Sequence, residues 1–214
     1  MEIEINNLSK KYRGFALENI TFPVHEGYIT GIVGKNGAGK TTLFRMLTID
    51  NPGYTGLVTA DGRDICENRQ EYMNRTGFIS DERYMCKGLS LDGNFKMLQT
   101  LYYDMDEAMF RKQCDEFELD RENIIKSLSR GELLRYQLAL ELSHHADFLI
   151  LDEVTAGMDP VFRRDFFKIL HKLLENEKMT ILMSTHIMEE LELHMDFVVR
   201  LENGRVEEFR EVQG

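Results

Sequence analysis

YITGIVGKNGAGKTTLFRMLTI, residues 28–49, is the stretch on which the fold turns. An apolar run of strand character enters a glycine-rich turn, and a helical run leaves it. Gly34-Lys35-Asn36-Gly37-Ala38-Gly39-Lys40-Thr41 satisfies the spacing G-x-x-x-x-G-K-[ST], in the strand-loop-helix context that the pattern requires. The glycines let the backbone curl so that successive N–H groups face phosphate oxygens. Lys40 is long enough to reach the outer phosphates, and the Thr41 hydroxyl is a hard oxygen donor for Mg²⁺.

Upstream, EIEI (2–5) alternates and LENITFPV (17–24) reads as β structure. Downstream, LVTADGRDI (57–65) carries an Asp61-Gly62 turn signal, and GFIS (77–80) reads as strand. Between Leu91 and Phe117 the texture changes: Leu91, Phe95, Leu98, Leu101, Met109, Cys114 and Phe117 fall at helical spacings, with acids between them. Then come FLIL (148–151), a helical stripe of Phe162, Phe166, Ile169, Leu170 and Leu173, the apolar strand TILMS (180–184), and FVVRLENGRVEEF (197–209). In that last run Asn203-Gly204 is a hairpin signal. Strands alternating with helices, the middle strands uniformly apolar, predict an α/β fold with a mainly parallel sheet covered on both faces. The expected organisation is a single domain over 1–214, with a core and a β region in 1–88 and 133–214 and a small helical subdomain in 89–132.

LILDE ends a buried strand with two adjacent acids, Asp152 and Glu153. Beside a phosphate loop, Asp152 suits Mg²⁺ and Glu153 suits a base that polarises the attacking water. His186 follows the strand ILMST, at the carboxyl end where α/β folds bind ligands. A neutral imidazole there can sense a terminal phosphate and orient water. In SLSRGELLRYQ (127–137), Ser129 and Glu132 have capping-box spacing, and the glycine-flanked helix start they define is a second anion site.

Taken in order, these motifs resemble the ATP-binding subunit of an ABC transporter, and the resemblance covers essentially the whole chain. Gly34 to Thr42 match Walker A, including Asn36, Ala38 and Thr42. Leu128 to Glu132 match the signature usually written LSGGQ, which brings in Gly131. Phe148 to Glu153 match Walker B with its catalytic glutamate, Thr155 to Asp159 the D-loop, and His186 the switch histidine. Tyr12 stands 28 residues before Lys40, where the family places an aromatic that stacks on adenine. The resemblance implies a P-loop NTPase core with an N-terminal antiparallel β region. It also implies two such subunits, alike or sister chains, meeting head to tail with each ATP between Walker A of one and the signature of the other. Polytopic membrane permease subunits would be driven by this cycle, with the ATPase cytoplasmic and peripheral at the inner face of the membrane.

The departures are specific. Where the family has a glutamine that ligates Mg²⁺ and contacts the membrane partner, GFISDERY places Asp81, followed by Glu82; a carboxylate can serve the metal equally. Arg130 replaces a signature glycine, Glu132 its glutamine, and Val154 the proline after the catalytic glutamate. With the compact helical lobe, these changes look most like the small bacterial exporters of peptides and antibiotics. The alternatives are a soluble ABC-type ATPase not coupled to transport, and a P-loop small-molecule kinase, which leaves the signature, D-loop and histidine unexplained.

Composition narrows the field. A net charge of −11 opposes nucleic-acid binding, which draws its affinity from Lys and Arg. Cys66, Cys86 and Cys114 lack metal-ligand spacing and fit a reducing compartment. No apolar run is long enough to span a bilayer, so if the protein works at a membrane another chain must cross it. MEELELHMD (188–196) reads as a solvated helix face, and Asp159-Pro160 as an N-cap and first helical residue.

Overall fold

The structure, a computed structural model, describes residues 1–50, 53–80, 85–100, 104–177 and 179–212. Its strands are β1 (Ile3–Tyr12), β2 (Phe15–Val24), β3 (Ile29–Val33), β4 (Thr55–Ala60), β5 (Arg63–Asp64), β6 (Thr76–Ser80), β7 (Phe148–Asp152), β8 (Thr180–Thr185), β9 (Phe197–Glu202) and β10 (Arg205–Glu211). Its helices are α1 (Lys40–Leu47), α2 (Arg69–Asn74), α3 (Leu91–Leu98), α4 (Glu107–Glu116), α5 (Arg130–Ser143), α6 (Pro160–Glu177) and α7 (Met188–His194).

Two sheets form. The larger has the order β10-β9-β3-β8-β7-β6 and is parallel throughout except for the β9–β10 hairpin; the smaller is antiparallel, β2-β1-β4-β5. The period-2 pleat divides the apolar strands between two cores. Phe148, Ile150, Leu182 and Val199 face a core shared with α1 and the antiparallel sheet. Leu149, Leu151, Ile181, Met183 and Val198 face a core shared with residues of α3 to α7. A sheet buried on both sides explains why these strands read as continuous apolar runs.

Within 89–132, α3 and α4 stack Phe95 on Phe110 with centroids 4.1 Å apart. Tyr136 of α5 donates its hydroxyl to the Leu91 carbonyl at 3.1 Å. Apolar residues from this segment join the same core as the central sheet. Leu101 of the predicted stripe lies outside the described residues. The three cysteines are free, and burial pushes the Cys114 thiol up to about 12.

Two expectations need correction. The alternation at EIEI marks only the first half of β1, which runs on to Tyr12 through register shifts after Ile5 and Leu8. Asn7 sits there at φ 51°, and such bulges scramble a period-2 pattern. The second correction is MEELELHMD: α7 buries Glu190 and Leu191 and exposes Leu193. Leu191 and Met195 fill the space above Gly31 of β3, so tertiary packing overrides the charge pattern.

A phosphate loop facing a carboxylate and a histidine

The loop after β3 takes its shape from three glycines. Gly37 and Gly39 adopt φ 81° and 112°, open to glycine without strain. A side chain on Gly34 would stand 2.3 Å from the Leu201 carbonyl, so strand β9 can pass only because none is there. The β9–β10 hairpin turn braces the loop from outside, with Gly204 N–H donating to the Ala38 carbonyl at 3.1 Å. That turn is the predicted Asn203-Gly204 pair, at φ 47° and 76°.

Lys40 opens α1 and is 5% exposed. Its ammonium donates to the Gly34 carbonyl at 2.8 Å and pairs with Glu153 Oε1 at 3.1 Å. The other oxygen of Glu153 faces His186 Nδ1 at 3.9 Å. Glu153 and His186, each just after a strand, thus meet the first residue of α1. Lys40 and Glu153 border an open cleft of about 470 Å³ lined also by Asn36, Gly37, Gly39, Thr41 and Thr42, with Phe15 as a further wall, and His186 reaches it through Glu153.

Glu153 holds a left-handed backbone at φ 50°, which costs a non-glycine residue about 1–2 kcal/mol. Ser184 at the end of β8 supports it by accepting the Glu153 N–H at 2.9 Å, while donating its hydroxyl to Asp152 Oδ1 at 2.6 Å. With the exposed Thr41 hydroxyl, Asp152 supplies hard oxygen donors of the kind Mg²⁺ takes. Asp81, the third metal candidate, lies outside the described residues, although Ser80 just before it is fixed by a 3.1 Å hydrogen bond from Gln137 to its carbonyl. Among the described residues no group of three or more His, Cys, Asp or Glu is placed to hold a metal ion by itself.

The Ser129 corner is built as its spacing predicts. Glu132 N–H donates to Ser129 Oγ at 3.3 Å, and Glu132 Oε2 accepts from Ser129 N–H at 2.8 Å and from its hydroxyl at 2.6 Å. These donors hold the Glu132 carboxyl below the usual carboxylate range. Gly131 lies against the Phe162 ring, where a Cβ would come within 2.4 Å, and Arg130 Nη1 stands 3.0 Å from a Cβ placed on Gly157. The corner thus sits beside the loop 155–159, and Asp159 Oδ1 caps α6 by accepting from Val161 and Phe162 N–H at 3.0 Å each. Tyr12 ends β1, partly exposed, with the Lys10 ammonium 5.7 Å above its ring; partial burial raises its phenol pKa.

Phe15 and Ser184 escape a sequence reading. Phe15 follows the Gly14 turn after Tyr12, and only the fold carries it over Gly39, where a Cβ would come within 2.8 Å of its ring. Ser184 is signalled only by parallel register, which sets it opposite Asp152.

Residues 17–156 match the family described as ABC transporter. A probable metal transport system ATP-binding protein of Thermotoga maritima is 33% identical over 190 residues, covering 86% of this chain and 74% of that protein. The lantibiotic transport ATP-binding protein SrtF of Streptococcus pyogenes is 29% identical over 207 residues, covering 95% and 88%. Among solved structures, an ATP binding subunit of an ABC transporter superposes with a TM-score of 0.86 at 23% identity, over 99% of this chain and 90% of that one.

Proposed function

The chain belongs to the ABC transporter family as an ATP-binding, ATP-hydrolysing motor domain, and from that premise we propose how its own residues do the work. The observation that carries the proposal is that Lys40 and His186 face the two oxygens of Glu153, at the wall of the cleft that the phosphate loop lines. The Walker A loop, Gly34 to Thr42, cradles the phosphates of ATP, and Lys40 holds the charge on the outer two. Phosphate oxygens take over from Glu153 as the counter-charge of the buried lysine. The freed carboxylate accepts a proton from the water that attacks the terminal phosphorus, and His186 orients that water. ADP and phosphate are the products. Mg²⁺ would be held by Thr41 and Asp152, joined by Asp81, and would neutralise charge on the phosphoryl oxygens. Tyr12 packs on adenine, with Phe15 as a second apolar surface beside it.

The signature completes a site in trans. Ser129, Gly131 and Glu132, with Asp159 nearby, meet the ATP held by a second subunit, which explains why a chain with one anion-binding loop carries another anion-binding helix start. No helix among the described residues is long and apolar enough to cross a membrane. We infer from the family that the motor acts on separate permease subunits at the inner face of the membrane. A structural relative, cbiO1 of Clostridium perfringens, is described as part of the cbiONQ transporter complex. The cargo we infer is a peptide or antibiotic moved outward, supported by the match along nearly its full length to the lantibiotic transport protein.

The test is Glu153→Gln in the full chain. Hydrolysis should fall at least 100-fold while ATP affinity stays within twofold; hydrolysis at the parent rate would remove Glu153 from the mechanism.

A further inference from the structure

Glu190 is a buried acid that the hydrolytic mechanism does not use. It lies on α7, is 4% exposed, and receives two hydroxyl protons on one oxygen: Thr185 Oγ1 donates to Oε2 at 2.5 Å and Thr155 Oγ1 at 3.1 Å. Its other oxygen makes no hydrogen bond among the described residues and faces Arg163 Nη1 of α6 at 3.7 Å. An ionised carboxylate only accepts, so Thr185 Oγ1 sends its proton to Glu190 while its own lone pair accepts the Ile187 N–H at 3.1 Å.

The two threonines are placed where they matter. Thr185 immediately precedes His186 and is paired in register with Val33, the last residue before the phosphate loop. Thr155 lies two residues after Glu153 in a turn closed by Ala156 N–H to the Glu153 carbonyl at 3.1 Å. Arg163 stands in the first turn of α6, where its N–H bonds to the carbonyl of Asp159. One carboxylate thus ties together the turn bearing Glu153, the strand end bearing His186, and the helix that follows loop 155–159.

We propose that Glu190 is a positioning residue for ATP hydrolysis, holding Glu153 and His186 in register through Thr155 and Thr185. The proposal rests on the reading of Glu153 as the base. Glu190 touches neither phosphate nor water; it acts by fixing where the two groups that do so stand. Removing its charge leaves two buried threonine hydroxyls competing for a weaker acceptor and Arg163 beside an amide.

The experiment measures steady-state hydrolysis, ATP binding and thermal unfolding for full-length Glu190→Gln, Thr155→Val, Thr155→Ser and the Thr155→Val/Glu190→Gln pair, with Glu153→Gln as control. Glu190→Gln should lower kcat tenfold or more with KM for ATP within twofold. Thr155→Val should lower kcat several-fold, and Thr155→Ser, which keeps the hydroxyl, should restore it. The double variant should match Glu190→Gln within twofold rather than multiply the two losses. If Glu190→Gln fails to fold, the valine and serine variants of Thr155 decide alone. The proposal is overturned if Thr155→Val hydrolyses at the parent rate while Glu153→Gln is inactive. It is equally overturned if kcat and ATP affinity fall together without rescue by serine. Parent-rate hydrolysis by Glu153→Gln would instead refute the underlying assignment of the base.

Discussion

Replacing Ser129 with alanine separates the two duties of the signature corner. Within one chain Ser129 is an N-cap: its oxygen accepts the Glu132 N–H, and its hydroxyl and amide are held by the Glu132 carboxylate. Losing such a cap costs about 1 kcal/mol. For a chain of 214 residues that lowers the unfolding midpoint by about 2–4 °C. A domain with ordinary stability of about 5–15 kcal/mol remains folded at assay temperature after so small a loss, so a cap alone leaves hydrolysis unchanged. If Ser129 also meets a phosphate held by a second subunit, alanine removes a hydrogen bond to a charged group, worth about 1.5–3 kcal/mol. Expressed in the transition state, that is roughly 10- to 150-fold in rate. Differential scanning fluorimetry and steady-state hydrolysis on the same preparation distinguish the cases. We expect the small shift in midpoint together with the large loss of rate, and ATP affinity of the single subunit within twofold. A rate within twofold of the parent would refute the trans contact; equal loss of ATP affinity would place Ser129 at its own chain's nucleotide.

Three further outcomes follow from the same geometry. Because the Ser129 donors depress the Glu132 pKa, that carboxylate adds stability above the ordinary carboxylate pKa and loses it as pH falls through its lowered value. The difference in unfolding midpoint between the parent and Glu132→Gln should therefore be present at neutral pH and vanish in acid, and a pH-independent gap would contradict it. Gly131→Ala drives a methyl into the Phe162 ring and should cost about 1–3 kcal/mol, relieved by the compensating Phe162→Leu; a silent Gly131→Ala in thermal unfolding would refute that packing. Asp152→Asn should raise the Mg²⁺ concentration for half-maximal hydrolysis at least tenfold at saturating ATP, while an unchanged Mg²⁺ dependence would free Asp152 from the metal.

What the sequence makes legible is what local backbone chemistry dictates. The glycine spacing from Gly34 to Gly39 corresponds to left-handed φ values at Gly37 and Gly39. Asp61-Gly62 and Asn203-Gly204 both turn with positive φ, and Ser129 with Glu132 closes its box within four residues. Strand burial is legible too, since a strand covered on both faces reads as a nearly continuous apolar run. What stays hidden depends on partners distant in sequence. Glu190 looks solvated in an acidic seven-residue helix, and only the fold brings Thr155 to it, 35 residues away. Ser184 gains its role from lying opposite Asp152 in the sheet, and Phe15 from the curl that carries β2 over the phosphate loop. The bulges of β1 hide half its length, because each shift in register exchanges the inward and outward faces.

We propose that ATP is shared between two such subunits, alike or sister chains, and two copies of this chain put the sharing to the test. Light scattering of Glu153→Gln with saturating Mg-ATP tests it directly. It should give a particle of about 50 kDa, twice the 25.0 kDa chain, holding two ATP molecules and returning to a monomer when Ser129→Arg is added. A 25 kDa particle with bound ATP at every protein concentration tested would contradict it.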